Sequence, residues 1–410
     1  MLPIAFALAL LCAPLASAQD GLLIGGQYIS AARAFGEVLG PGPLLGQPQL
    51  FGGGRYALIG DTVFDGRSGR AVYATPDLVL ALDLARPRLF ERRSDGVWIV
   101  NAETHFAYNV LAAAGGAVRR CAFAYSANVL YCAMDRDDGL SDVLAVDLAI
   151  GTARTVVSLD LRHPYFLHYV AAWLVTPDGR QIFFGEGYRQ LGWALAMIDT
   201  ATGVVTHSDA PGGYGPYAGN VQPVSASWDD ANERVIAHGL KTLWVLDKYL
   251  RPIIAGAIVG GECTDIQVSA HTGRMYAYQY GYDDTTFWET LRVLDSATFG
   301  PLGGPVFRRR PQVVGCQLAA VLTAPGVPRH VAVSVTGRSV SLAWTNVGAA
   351  SHFVLDVGVG PGRTDASVFL GPDSHATFDN VPPGTYYLRL RGGNEFGGGR
   401  PSTEVQVVVP

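Results

Sequence analysis

Ala196-Met197-Ile198-Asp199-Thr200-Ala201-Thr202-Gly203-Val204-Val205 reads as an apolar strand ending in an aspartate, a polar turn, and a second strand. The phrase recurs along the chain. Its strand-plus-aspartate half appears as Val79-Leu80-Ala81-Leu82-Asp83, Val143-Leu144-Ala145-Val146-Asp147, Leu243-Trp244-Val245-Leu246-Asp247 and Leu291-Arg292-Val293-Leu294-Asp295. The aspartates stand 64, 52, 48 and 48 residues apart, and Val97-Trp98-Ile99-Val100-Asn101 reads as a degenerate copy inside the longest gap. About 20 residues before each copy lies a second strand–turn–strand landmark, as in Val175-Thr176-Pro177-Asp178-Gly179-Arg180-Gln181-Ile182 and Val268-Ser269-Ala270-His271-Thr272-Gly273-Arg274-Met275. Asp65-Gly66-Arg67-Ser68-Gly69-Arg70 and Asp229-Asp230-Ala231-Asn232-Glu233-Arg234 are assigned to the same place. Each unit then holds four short strands, and four strands in about 48 residues make a repeat that cannot hide both its faces alone. Such units must stack face to face and close into a ring.

That reasoning predicts an all-β chain: a β-propeller of six to seven four-stranded blades, seven favoured, over residues 19–322. Gly21-Leu22-Leu23-Ile24 and Cys316-Gln317-Leu318-Ala319-Ala320-Val321-Leu322 are expected to share a closing blade, which removes exposed sheet edges. The phrase Ile198-Asp199-Thr200-Ala201-Thr202-Gly203-Val204-Val205 is similar to the YVTN/NHL/WD40-like propeller repeats of exported bacterial proteins. The resemblance covers most of 60–310 and implies the fold, not a particular activity.

Thr323-Ala324-Pro325-Gly326-Val327-Pro328 reads as a linker, and residues 329–410 as an immunoglobulin-like β-sandwich of seven short strands. Pro383-Gly384-Thr385-Tyr386-Tyr387-Leu388-Arg389-Leu390-Arg391 resembles a strand of the fibronectin type III module. The resemblance implies Trp344 as the core tryptophan and Tyr386 as the corner tyrosine, with the module acting as a spacer or adhesive unit.

Composition narrows the function classes. The chain has 410 residues, 49% hydrophobic and 16% charged, with 50 Gly and 24 Pro, which suits many strands joined by turns and argues against disorder. Net charge is −5 and the one basic run is Arg308-Arg309-Arg310, so a nucleic-acid partner is set aside. Residues 1–18 read as a signal peptide, with a short apolar stretch from Ile4 to Leu11 and Ala16-Ser17-Ala18 as the cleavage site. The expected location is secreted or periplasmic, possible anchoring at the cell surface included, and no integral membrane segment is expected after cleavage. Export permits disulfides among Cys121, Cys132, Cys263 and Cys316. A turn at Ser126-Ala127 sets Cys121 directly opposite Cys132, so that pair is favoured, with a weaker second pairing between Cys263 and Cys316.

Propeller ligands usually sit on the face that carries the second-to-third-strand and inter-blade connections. Here these include Glu186, Tyr188 and Trp193; Tyr280, Tyr282, Asp283 and Trp288; and Tyr214 and Tyr217. Aromatic faces beside carboxylates suit a glycan or a polar peptide. Asp135, Asp137 and Asp138 supply hard oxygens but lack EF-hand spacing, so calcium is not favoured and no cofactor is expected. No nucleophile motif, phosphate loop or dinucleotide fingerprint occurs. The reading is an exported protein that binds a glycan or protein, leaning away from enzyme; the alternative is a propeller hydrolase or lyase on a polysaccharide or peptide-like substrate.

Overall fold

The computed structural model describes residues 21–24, 27–30, 49–66, 68, 70–112, 117–159, 169–188, 192–208, 223–239, 242–258, 263–283, 286–303, 307–309 and 320–410. Among these the chain is all-β, without helices, and its strands form small antiparallel sheets.

Six consecutive sheets are four-stranded meanders. The first holds β3 to β6 (Gln49–Phe51, Tyr56–Ile59, Thr62–Asp65, Ala71–Ala74) and the second β7 to β10 (Leu78–Leu82, Arg88–Arg93, Gly96–Asn101, Ala107–Ala112). The third holds β11 to β14 (Val118–Ala124, Val129–Asp135, Ser141–Asp147, Thr152–Leu159) and the fourth β15 to β18 (Tyr169–Val175, Gln181–Tyr188, Gly192–Asp199, Val205–His207). The fifth holds β19 to β22 (Pro223–Asp229, Arg234–Gly239, Thr242–Asp247, Pro252–Ile258) and the sixth β23 to β26 (Cys263–Val268, Arg274–Asp283, Thr286–Asp295, Phe307–Arg309). A seventh sheet draws on both ends of this region: β1 (Gly21–Ile24) lies between β2 (Gln27–Ser30) and β27 (Ala320–Leu322), with Leu22 opposite Val321.

The cores lie between successive sheets. Phe51 and Leu58 of the first meet Leu89 and Val100 of the second; Tyr131 and Val143 of the third meet Ile182 and Phe184 of the fourth. Phe183 and Met197 of the fourth meet Val235 and Leu246 of the fifth, and Ile236 and Val245 of the fifth meet Ile266 and Met275 of the sixth. Phe183 and Phe184 are both fully buried, one toward each neighbour, because adjacent strand residues face opposite sides of the pleat. The first strands of consecutive sheets also touch, β7 with β11, β11 with β15, β15 with β19 and β19 with β23, and β23 touches β27 of the seventh sheet.

The aspartate landmarks are turn-formers. Asp199 accepts from the backbone N–H groups of Ala201 and Thr202, and Asp295 does the same with Ala297 and Thr298. These bonds, first of all that from Thr202 N–H to Asp199 and that from Thr298 N–H to Asp295, hold both carboxyls below the usual range. Asp147, Asp199, Asp247 and Asp295 all close the third-to-fourth turn, as Asn101 does. Two assignments are corrected. Asp83 ends a first strand, and Asp65–Arg70 joins β5 to β6, a third-to-fourth turn, instead of a first-to-second one. The confusion has a physical origin. Asp83 accepts from the N–H groups of Ala85 and Arg86, as Asp229 does from those of Ala231 and Asn232, so first-to-second turns use the same local device. Those two add a buried ion pair to an arginine five residues on, Arg88 at 2.6 Å and Arg234 at 2.7 Å.

The remaining strands form two facing sheets. One holds β28 (Arg329–Thr336), β29 (Ser339–Thr345) and β32 (His375–Phe378); the other holds β30 (His352–Gly358), β31 (Ala366–Leu370), β33 (Gly384–Asn394), β34 (Gly397–Gly398) and β35 (Val405–Val409). Trp344 is buried edge-on against Phe353, and the Tyr386 hydroxyl donates to the carbonyl of Pro382 at 2.9 Å.

Candidate functional site

A cavity of about 480 Å³ runs along the first strands of the sheets. Its wall carries Gln49 of β3, Leu82 of β7, Phe123 of β11, Trp173 of β15 and Gln267 of β23. Each strand contributes consecutive residues, Gln49 with Leu50, Ala81 with Leu82, Cys121 to Phe123 and Trp173 to Val175, so the strands border the space along their length instead of turning one face to it. Cys121 also faces the cavity. It is bonded to Cys132, its cross-strand partner, with Cα atoms 4.1 Å apart, as the hairpin register predicts. Cys263 begins β23, whereas Cys316 lies outside the described residues.

The sandwich lines one end of the cavity. Gly348 and Ala349, from the loop after β29, and Asn394 and Phe396, from the end of β33 and the turn beyond it, line it together with Thr323. They are held there by bonds to five of the first-to-second-strand turns. Asn346 N–H donates to Ser126 Oγ at 2.9 Å, and Arg86 pairs with Asp373 at 2.7 Å. Glu395 N–H donates to the Gly53 carbonyl at 3.2 Å, and Arg400 to that of His271 at 2.9 Å. Arg329 pairs with Glu233 at 3.3 Å and also donates to the carbonyl of Ala231. Asn394 donates to the Thr323 carbonyl at 2.8 Å while accepting from Phe396 N–H, which fixes the plugging loop.

Asp230 is the electrostatic centre of this junction. Its Oδ2 accepts from the Tyr125 hydroxyl at 3.0 Å and from Gly348 N–H at 2.9 Å, and its Oδ1 accepts from the Trp228 indole at 2.9 Å. Burial pushes its carboxyl up to about 6, against the pull of these donors and of Arg329. Burial, with Asp230 alongside, pushes the Tyr125 phenol well above its ordinary value. Among the described lining residues, no Asp, Glu, His, Lys or Arg faces the cavity.

The close approach at the first sheet depends on glycine. Gly54 has φ +85°, and a Cβ there would lie 2.1 Å from the Phe396 ring; one on Gly53 would lie 2.6 Å from Ser351 Cβ.

The residues singled out from sequence occupy other places. Register puts Glu186, Tyr188 and Trp193 at the end of the β16–β17 hairpin, with Gly187 opposite Trp193. Tyr280, Tyr282, Asp283 and Trp288 lie toward the end of the β24–β25 hairpin, with Gly281 opposite Trp288. Both hairpin ends point away from the turns that meet the sandwich, and nothing described brings the two groups together. Tyr214 and Tyr217 lie outside the described residues. Asp135 bonds Arg119 and Ser141, and Asp138 pairs with Arg136 at 2.7 Å. Among the described residues no three His, Cys, Asp or Glu converge as a metal site. The cavity itself was missed. Gly53, Gly54, Gly348 and Asn394 line it, but in the sequence each reads as an ordinary turn residue.

No family model matches the chain, and no curated protein matches it. Among solved structures it is similar to the extracellular domain of a protein described as a one-component system from B. thetaiotaomicron, at 11% identity and TM-score 0.45. That likeness covers 97% of this chain and 56% of the other, so the chain spans little more than half of that domain's length. Over 21% of the chain it is similar to a fibronectin type III domain of human collagen XX, at 22% identity, 91% coverage of that domain and TM-score 0.19. A Fn3-like protein from Clostridium thermocellum gives 16% identity, 21% and 95% coverage, and TM-score 0.20. No helix among the described residues is long and apolar enough to cross a membrane.

Proposed function

We propose that this chain is an exported binding protein in which a seven-bladed propeller holds its ligand in an axial channel, and a fibronectin-type-III-like sandwich seals one end of that channel. On this reading residues 1–18 are the signal peptide, 19–322 the ring, 323–328 the linker and 329–410 the sandwich. The observation that carries it is the cavity bounded on its sides by first strands of successive sheets and at one end by the sandwich loops. Cores between successive sheets, and the pairing of β1 with β27, support closure into a ring. The sandwich is then a stopper rather than a spacer.

Ligand enters from the opposite end, past the hairpin ends that carry Glu186, Tyr188, Trp193, Tyr280, Tyr282, Asp283 and Trp288. Tyr214 and Tyr217 are proposed to belong to the same mouth. A concave, largely apolar site with a few polar groups is the usual form of a ligand pocket. The test is a binding screen of the mature chain on arrayed extracellular glycans and peptides, repeated with Gln49→Trp, which fills the cavity from an exposed position. A ligand captured by the wild type and lost by the filled variant supports the reading. A ligand held equally well by both removes it.

A further inference from the structure

We infer that the cavity receives the uncharged end of a linear glycan, and that the sandwich restricts it to chain ends. This rests on the cavity being the ligand site. The first observation is the stopper. A channel open at both ends lets a polymer thread through, so internal units are bound as readily as terminal ones. Here Gly348, Ala349, Asn394 and Phe396 lie at one end of the cavity and are tied to the surrounding turns. A chain can enter such a blind space only with its end leading.

The second observation is the neutrality of the wall. None of the described lining residues carries a charged side chain. Among the described residues, ionised groups at the junction are committed to one another or to it: Arg86 to Asp373, Arg329 to Glu233, and Asp230 to Tyr125, Trp228 and Gly348. An ionised ligand would lose its hydration there and gain no counter-charge, which is strongly unfavourable. This separates two polymers that could otherwise compete. Each end of an unmodified peptide is charged, whereas each end of a neutral glycan carries only hydroxyls. It also excludes uronate and sulfated chains.

The third observation is the mixture of surfaces. Half-buried Trp173 and Phe396 supply aromatic area, which suits the C–H faces of a pyranose ring. Exposed Gln49 brings a side-chain amide, donor and acceptor together, which suits the paired hydroxyls of a sugar better than a hydrocarbon.

The test is calorimetric titration of the full mature protein. The probes are linear hexasaccharides of β-1,4-glucose, α-1,4-glucose, β-1,4-mannose and β-1,4-N-acetylglucosamine, long chains of the same sugars, and hexagalacturonate. The expected result is that at least one neutral series binds with one protein per chain at every length. Hexagalacturonate is expected to bind at least tenfold more weakly, and Gln49→Trp to lose at least tenfold. Gln49→Glu, nearly the same shape, serves where the larger Trp side chain disturbs folding, and is expected to weaken binding of the neutral chains at least tenfold.

Stoichiometry that rises with chain length overturns the inference, as does preferred binding of the uronate. If Gln49→Trp still abolishes binding in either case, the cavity remains the ligand site and only the end-specific, neutral assignment falls. Binding of a neutral chain that neither Gln49 variant alters sinks the cavity reading itself. Failure of every neutral series to bind overturns the glycan assignment, while a peptide captured in the array screen and lost by Gln49→Trp leaves the cavity in place.

Discussion

At Asp230, three donors and a half-buried position pull a single carboxyl in opposite directions. The Tyr125 hydroxyl, the Trp228 indole and Gly348 N–H all favour the ionised form, yet burial prevails and the carboxyl titrates near 6 rather than 3.8. A carboxyl whose pKa rises on folding binds its proton more tightly in the folded chain. Its contribution to stability is therefore complete below about pH 4 and is lost as the pH climbs through 6. Asp230→Asn removes the titration and keeps an acceptor for Trp228. Thermal midpoints of wild type and variant, measured from pH 4 to pH 7, should show the variant gaining on the wild type as the pH rises. A difference that stays flat over that range would mean the site is wetter than its contacts imply. Nothing in the sequence marks Asp230 apart from Asp229 beside it. The two diverge because Asp229 turns into its own hairpin to meet Arg234, while Asp230 faces a loop more than a hundred positions away.

At the scale of strands and turns, local chemistry was legible and its context was not. Asp199, Asp247 and Asp295 announce turns because each binds N–H groups within a few residues of itself, a feature a short stretch of sequence contains in full. The hairpin register that pairs Cys121 with Cys132 is readable for the same reason. Which turn of the meander an aspartate closes is another matter, since first-to-second turns at Asp83 and Asp229 use the same bonds. An arginine five positions later does not separate them either, since Arg70 stands five after Asp65 in a third-to-fourth turn; what sets Asp83 and Asp229 apart is the ion pair their arginine closes, which sequence does not display. Asp199 allows a direct check. Its carboxyl accepts from Ala201 N–H, Thr202 N–H and the Thr202 hydroxyl, so Asp199→Ala should cost roughly 1 kcal/mol, in line with a lost cap. Its pKa is lowered on folding, so the wild-type advantage is present at neutral pH and fades as the pH falls through the folded-state value. Urea unfolding at pH 7 and pH 3 measures both effects. An equal advantage at the two pH values would show that the methyl and hydroxyl packing of the turn, not the carboxylate, carries the stability.

On the scale of the whole molecule, what matters is how the sandwich meets the rest of the chain. Part of this could have been deduced. Arg329 pairs with Thr345, so the loop after β29 lies at the end of the sandwich where the chain enters it, close to the preceding strands. The partner surface could not be deduced, because Gly52-Gly53-Gly54 reads as an ordinary turn and Phe396 as an ordinary loop aromatic. Their meaning appears only when the two are brought together, with Phe396 seated where any side chain at Gly54 would have to be. This makes Gly54→Ala a sharp probe. The variant suffers twice, from φ +85°, which an alanine adopts at a cost of about 1 kcal/mol, and from a methyl set 2.1 Å from a ring that must move. Displacing the ring by withdrawing the 394–396 loop also breaks the bond from Glu395 N–H to Gly53 and loosens Asn394 from Thr323. A protease should then cut the 323–328 segment at least tenfold faster than in the wild type. Calorimetry should resolve two transitions where the docked chain shows one, since a sandwich freed from the turns keeps its own core around Trp344 and Phe353. Gly337→Ala, at a positive φ of +57° with nothing within 4 Å of the added methyl, carries the backbone cost without the collision. If it accelerates cleavage as much as Gly54→Ala does, the effect is general destabilisation and the stopper is not held by the contact at Phe396.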